Sequence, residues 1–317
     1  MKVIEHLQRS NDTLLSYEIL PPLKGKNIQS IYNHLDPLME FNPSWINVTY
    51  HRSETILKTK EDGNLEKIIT RKRPGTVGIC SAIMNHYSVD AVPHLICGGF
   101  SKSETEEALI DLNFLGVNNV LALRGDAARN DDHFIPHTDG HAYAVDLVKQ
   151  IVDMNNGRYL DSDIKNAERT DFCIGVAGYP EKHFECTSLA EDLEYLKRKV
   201  AAGAEYIMTQ MFFDNKKFFS FVDACRSLDI NVPIIPGLKA LTTKNQLKTI
   251  PKIFSLELPG DLIKEMEKTT NDIDTEKVGI EWLINQSKEL KEYGVPVLHY
   301  YTLGKPSIIR SVVKEVF

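Results

Sequence analysis

The chain has 317 residues, 42% of them hydrophobic and 26% charged, the balance of an ordinary soluble globular protein and the length of one large α/β unit. No apolar run approaches the roughly 20 residues needed to span a bilayer. A formal net charge of −7 argues against general nucleic-acid binding, which needs clustered Lys and Arg to neutralise phosphates.

The N-terminal stretch "MKVIEHLQRSNDT" lacks the continuous apolar core of a secretory signal, so the expected location is cytoplasmic. The first β-rich segment, 14–19, ends at Pro21-Pro22 and carries Glu18 within an apolar run. A helical pattern follows over 27–41, then a second strand at 45–50. The basic run "RKRPG" at 71–75 reads as a helix C-terminus, its cations complementing the dipole before a Pro-Gly stop. Further strands are predicted at 92–97, 118–123, 172–178, 205–212, 232–237 and 296–302, with helices over 101–116, 188–203 and 276–294 among the intervening segments. The stretch 127–171 is polar and turn-rich around a helix at 141–154, and forms an extended active-site loop region.

Alternation on this scale means a parallel sheet. Eight β/α units match a single-domain (β/α)₈ TIM barrel over 1–317 better than a doubly wound sheet, and no GxGxxG follows the first strand. The five cysteines form no CxxC pair; Cys80, Cys97 and Cys173 lie in apolar runs and read as buried thiols.

In such a barrel strand residues alternate between lumen and helices, and chemistry sits at the strand C-termini. Leu15, Tyr17 and Ile19 then face the helices, whereas Ser16 and Glu18 face the lumen. Burial would raise the Glu18 pKa and suit it to general-acid work; a structural ion pair with a nearby Arg or Lys is the alternative. The fourth strand ends in "VLALRGD", placing Leu123, Arg124, Gly125 and Asp126 at the same rim. Thr49, Tyr50, His94, Tyr179, His183 and Gln210 converge there, a set of donors, acceptors and aromatic faces suited to a large planar heteroaromatic ligand. Lys197, Arg198 and Lys199 form either a solvated helix end or a contact for cofactor phosphates. His133, His137 and His141 have i, i+4, i+8 spacing, but Pro136 and Gly140 interrupt a helix that would align them, and no metal site is expected.

In order and spacing, "SYEILPP", "NVTY", "PHLIC", "ALRGD", "GYPEKH", "LKRKVAAGA", "TQMFFD", "IIPG" and "HYYTLG" resemble the catalytic barrel of the methylenetetrahydrofolate reductase family over almost the whole chain. The resemblance implies a barrel binding FAD noncovalently, with NADH or NADPH giving hydride to flavin N5 and 5,10-methylenetetrahydrofolate then receiving it in a ping-pong cycle. It also implies a role in one-carbon metabolism and methionine biosynthesis, and self-association into a homo-oligomer.

Carried over residue by residue, Glu18 matches the general acid that assists ring opening toward N10, and Asp126 the aspartate that tunes the flavin and stabilises the 5-iminium cation. Gln210 matches a pterin-binding glutamine, Tyr301 a substrate-side tyrosine, and Lys305 stands where an arginine associated with folate is usual. The implied FAD contacts are Thr49, Tyr50, His94, Leu123, Arg124, Gly125, Asp126, Tyr143, Ala144, Tyr179, His183, Asp192, Arg198 and Lys199. Lys244 falls where bacterial relatives often place a phenylalanine that stacks on nicotinamide or folate. A flavin-dependent barrel acting on another heterocycle and a noncatalytic flavin-binding or scaffold relative are the competing readings.

Overall fold

Parallel pairing carries the chain around a barrel in sequence order. The structure is a computed structural model that describes residues 1–127 and 131–317; residues 128–130, inside the predicted loop region, lie outside the described residues. The strands are β1 (Leu14–Ile19), β2 (Trp45–Val48), β3 (Glu54–Thr59), β4 (Leu65–Thr70), β5 (Asp90–Ile96), β6 (Asn119–Leu123), β7 (Cys173–Gly178), β8 (Tyr206–Thr209), β9 (Ile234–Ile235), β10 (Gly237–Leu238) and β11 (Val297–Tyr301). The large sheet runs β10-β11-β1-β2-β5-β6-β7-β8-β9. Because β9 and β10 are one segment interrupted at Pro236, the nine strands fill eight barrel positions. The His299 N–H donates to the Pro236 carbonyl at 3.2 Å across that junction.

All eight predicted strands are present, several of them shorter. The second stops at Val48, which leaves Thr49 and Tyr50 in the loop above it, and the sixth stops at Thr209. The helices that carry the site are α2 (Gln29–Met39), α3 (Thr76–Tyr87), α4 (Lys102–Phe114), α5 (Ala144–Asn155) and α6 (Leu189–Ala201), preceded by a short α1 (Val3–Arg9). Local chemistry fixes their starts. Ser101 and Glu104 form a reciprocal capping box at α4, and the Ser188 hydroxyl accepts from the Glu191 N–H at α6.

The strands divide their side chains as period-two alternation requires. Leu15, Tyr17 and Ile19 pack with Ile31, Leu35 and Leu38 of α2 in the layer between barrel and helices. Trp45, Val92, Leu121, Cys173, Tyr206, Met208, Ile235 and Val297 fill the lumen below the mouth, and Val3 of α1 plugs it from beneath. Burying the apolar surface of one such side chain contributes about 1.5–3 kcal/mol, so this floor is rigid support for whatever lies above it.

The 71–75 expectation is corrected. "RKRPG" follows β4 of an antiparallel β3–β4 hairpin and leads into α3, with Gly75 at its N-cap. Pro74-Gly75 therefore opens a helix instead of closing one. Arg73 donates to the Pro21 carbonyl and Arg71 to the Tyr50 hydroxyl, tying the run to the barrel mouth.

Candidate active site

Glu18 is the last lumen-facing residue of β1, in register with Tyr301 of β11 on one side and Asn47 of β2 on the other. It is 9% exposed. Its carbonyl accepts both the N–H of Thr302 at 3.1 Å and the Thr302 hydroxyl at 2.8 Å, and His34 of α2 lies 2.7 Å from that hydroxyl. Two histidines flank the carboxyl: His94 Nε2 is 3.5 Å and His299 Nε2 4.0 Å from Glu18 Oε2.

The distances alone would suggest ion pairs, but burial decides otherwise. Desolvation raises the Glu18 pKa against the weaker lowering effect of His94, while desolvation lowers His94 to about 4 and His299 to about 3. Burial thus favours the protonated form of the Glu18 carboxyl and the neutral form of both imidazoles. Asn47 Nδ2 donates to His94 Nε2 at 3.2 Å, which places the His94 proton on Nδ1. Ser16 Oγ and His299 Nδ1 are 2.7 Å apart. Among the described residues His299 Nε2 and Asn47 Oδ1 are buried without a hydrogen-bond partner.

Gly237 closes this side. A Cβ there would lie 2.2 Å from the Tyr301 hydroxyl and 2.3 Å from the Thr209 carbonyl, which that hydroxyl meets at 2.7 Å. Only glycine leaves room for the bond.

The opposite rim is built from loops and charges. Gly125 has φ of +83°, a left-handed conformation that glycine adopts without strain, and turns the chain at the end of β6. Arg124 pairs with Glu185 and lies 4.9 Å over the Phe134 ring, so its partner is Glu185 and not Asp126. Asp126 is exposed and, among the described residues, has no ion pair or hydrogen bond. Tyr179 meets His183 edge-on at 4.8 Å, and the His183 N–H donates to Asp192 at 2.9 Å. Lys199 turns inward to donate to the Ala177 carbonyl at 2.6 Å, and burial depresses its pKa to about 8. Arg198 does not join it: successive helix residues diverge by about 100°, and Arg198 lies exposed over Tyr195. Tyr143 and Ala144 sit at the start of α5, Tyr143 being exposed.

A cleft of about 560 Å³ lies beside His94, between β5 and the helices α2, α3 and α4, lined by Ile28, Tyr50, Arg71, Gly75, His94 and Phe100 among others; the residues of the opposite rim do not line it. Thr49, in the loop above β2, donates its hydroxyl to the Ile19 carbonyl at 3.4 Å. Gln210 turns its amide oxygen to the Met211 N–H at 2.9 Å. Lys305 contacts Thr242 at 3.3 Å and Glu276 at 3.2 Å. Lys244 points elsewhere: it donates to the carbonyls of Glu267, at 2.9 Å, and Thr269, closing the end of helix α9 (Gly260–Lys268). His141 of the spaced histidines is buried against Gln150 at 2.5 Å.

Sequence reasoning missed His299 and Asn47. Their signal was present, since each is a polar residue at a lumen position of an otherwise apolar strand.

Fold and mouth together define a (β/α)₈ barrel with a buried carboxyl set between two histidines at one rim and a charged, aromatic-lined rim opposite. Residues 2–316 match the family model described as methylenetetrahydrofolate reductase, and the chain belongs to that family. It is 30% identical to methylenetetrahydrofolate reductase (NADH) 1 of Arabidopsis thaliana, an alignment covering 96% of this chain and 49% of that one. It is also 30% identical to 5,10-methylenetetrahydrofolate reductase of Escherichia coli, covering 94% and 88% respectively. The chain thus spans about half the length of its plant relative and most of the bacterial one. A solved Clostridium thermocellum protein described as binding two copies of 5-methyl-5,6,7,8-tetrahydrofolic acid has the same fold, with a TM-score of 0.57, 13% identity and 99% of each chain covered.

Proposed function

We propose that this protein reduces 5,10-methylenetetrahydrofolate to 5-methyltetrahydrofolate with NADH or NADPH, using bound FAD. The observation that carries the reading is the buried Glu18, its pKa raised by desolvation, in the barrel mouth of a member of this family. FAD, when bound, would supply two-electron transfer between the nicotinamide and the folate.

The residues present fit that group. Asn47 Oδ1 and His299 Nε2 are unpartnered at lumen positions beside Glu18, the left-handed Gly125 backbone permits close approach, and Arg124, His183 and Lys199 would supply donors along the opposite rim. Thr49, Tyr50, His94, Leu123, Tyr143, Ala144, Tyr179 and Asp192 complete the proposed cofactor contacts. Arg198 would have to leave Tyr195 to join them.

Glu18 keeps its proton in a site that excludes water and delivers it toward N10 of the folate. Asp126, exposed at the rim, supplies negative charge opposite the cation that ring opening creates. Gln210, Tyr301 and Lys305 position the folate. Relatives named for NADH and for NADPH both occur, so either nucleotide is compatible with membership. Cytoplasmic residence and self-association belong to the same proposal.

Purified protein loaded with FAD should be yellow, lose that colour on anaerobic addition of NADH or NADPH, and regain it with methylenetetrahydrofolate. Bleaching without folate-dependent recovery would instead support a flavin barrel with another acceptor. Failure to bind FAD would favour a noncatalytic relative.

A further inference from the structure

Lys239 follows β10 and has no role in the site as described above. It is only 8% exposed. Its direction follows from its neighbours: Leu238 packs toward the helices and Gly237 faces the lumen against Tyr301, so Lys239 has the lumen parity of Gly237. Gly237 and Leu238 pair with His299 and Tyr300, which sets Lys239 beside Tyr301, itself the register partner of Glu18.

The Lys239 ammonium is poorly compensated. Its hydrogen-bond partner is the Ala240 carbonyl at 3.5 Å, and among the described residues no carboxylate pairs with it. Its neighbouring charge is another cation, Lys305, whose own partners are Thr242 and Glu276. Burial, with Lys305 adding to it, depresses Lys239 to about 8. Keeping an unpaired lysine in so buried a place costs stability unless an anion arrives to pair with it.

We propose that Lys239 is a specificity-determining residue that, together with Lys305, binds a carboxylate on the glutamyl tail of the folate substrate. This rests on the reading given under Proposed function. At neutral pH the pterin and p-aminobenzoyl parts of folate carry no negative charge, and the glutamyl carboxylates do. Lys239 stands two strand positions from Glu18, about 10 Å at ordinary strand spacing. That separation accommodates the p-aminobenzoyl bridge between a pterin near Glu18 and a carboxylate at the lysines.

The test compares two probes, 5-methyltetrahydrofolate and the primary carboxamide of 5-methyltetrahydropteroate, which lacks the glutamate and carries no carboxylate, by calorimetric titration of FAD-loaded wild-type protein, Lys239→Met and Lys239→Gln. Loss of a charge-assisted contact should weaken folate binding on the order of tenfold or more in both variants and leave the carboxamide within about twofold. The thermal midpoint of Lys239→Met should equal or exceed that of wild type, because an apolar side chain of similar length replaces a buried ammonium. Equal weakening for both probes, or undiminished folate binding, would overturn the assignment. Wild-type protein that binds neither probe would overturn the functional reading itself and this subsite with it, a result distinct from either variant outcome.

Discussion

The two sides of the barrel mouth hold their polar groups by opposite means. Around Glu18 the polar groups sit on or beside strands and are buried: desolvation raises the carboxyl pKa and depresses both histidines, favouring the uncharged forms. Across the mouth, Arg124, Glu185, Tyr179 and His183 stand on or just beyond strand ends, are partly exposed, and interact through full charges and ring edges. Desolvation is the difference. Where water is excluded, the cheapest state of an acid beside a base is the uncharged pair; where water remains, the ion pair survives. Under the proposed function, this division would let one side of the mouth favour a stored proton while the other takes an anionic cofactor.

The largest expected effect separates the two sides by chemistry. Glu18→Gln should slow reoxidation of the reduced flavin by methylenetetrahydrofolate on the order of 10²–10⁴-fold, the range of a lost general acid, and leave bleaching by NADH or NADPH unchanged in stopped-flow absorbance. Equal folate reduction by the variant would remove Glu18 from the mechanism. A smaller effect is expected from the other rim. Arg124→Met should raise the FAD dissociation constant on the order of tenfold, measured by flavin fluorescence, with the folate step unchanged in protein saturated with FAD. Unaltered FAD affinity would show that the Arg124–Glu185 pair is only a loop clasp.

The smallest effect concerns pH. His299 has a folded pKa depressed from 6.5 to about 3, so the unfolded chain takes up its proton first as pH falls. The stability it contributes is present above about 6.5 and is lost as pH drops toward 3. Glu18, whose folded pKa is raised from 4.5, acts in the opposite sense: its contribution is present below 4.5 and lost as pH rises through the folded value. Denaturant titrations of His299→Asn should therefore show an acid limb shallower than wild type by up to one proton between pH 6.5 and 3. An unchanged limb would mean that His299 takes up its proton alike in the folded and unfolded chains.

The barrel was legible because each of its strands is a short apolar run bounded by turn residues, a signal that burial on both faces imposes. The β3–β4 hairpin was not read. Leu57, Leu65 and Ile69 are largely exposed on it, so no contiguous apolar run marks its strands, and the Asp62-Gly63 turn was the available cue. Strand alternation sufficed to bring Glu18 into the lumen. It could not show that Arg124 would take Glu185 as partner, that Arg198 and Lys199 would diverge on α6, or that Lys244 would close α9, because each depends on contacts between residues 20 or more apart or on helix phase. His299 and Lys239 were readable in principle, as polar residues at lumen parity, but their significance lies in what does not pair with them.

The central claim is that Glu18 holds a proton at neutral pH. Infrared difference spectroscopy of wild-type protein against Glu18→Gln in neutral buffer measures it directly. A carbonyl band of a protonated carboxylic acid, present in wild type and absent from the variant, is the predicted result. Carboxylate bands in its place would contradict it.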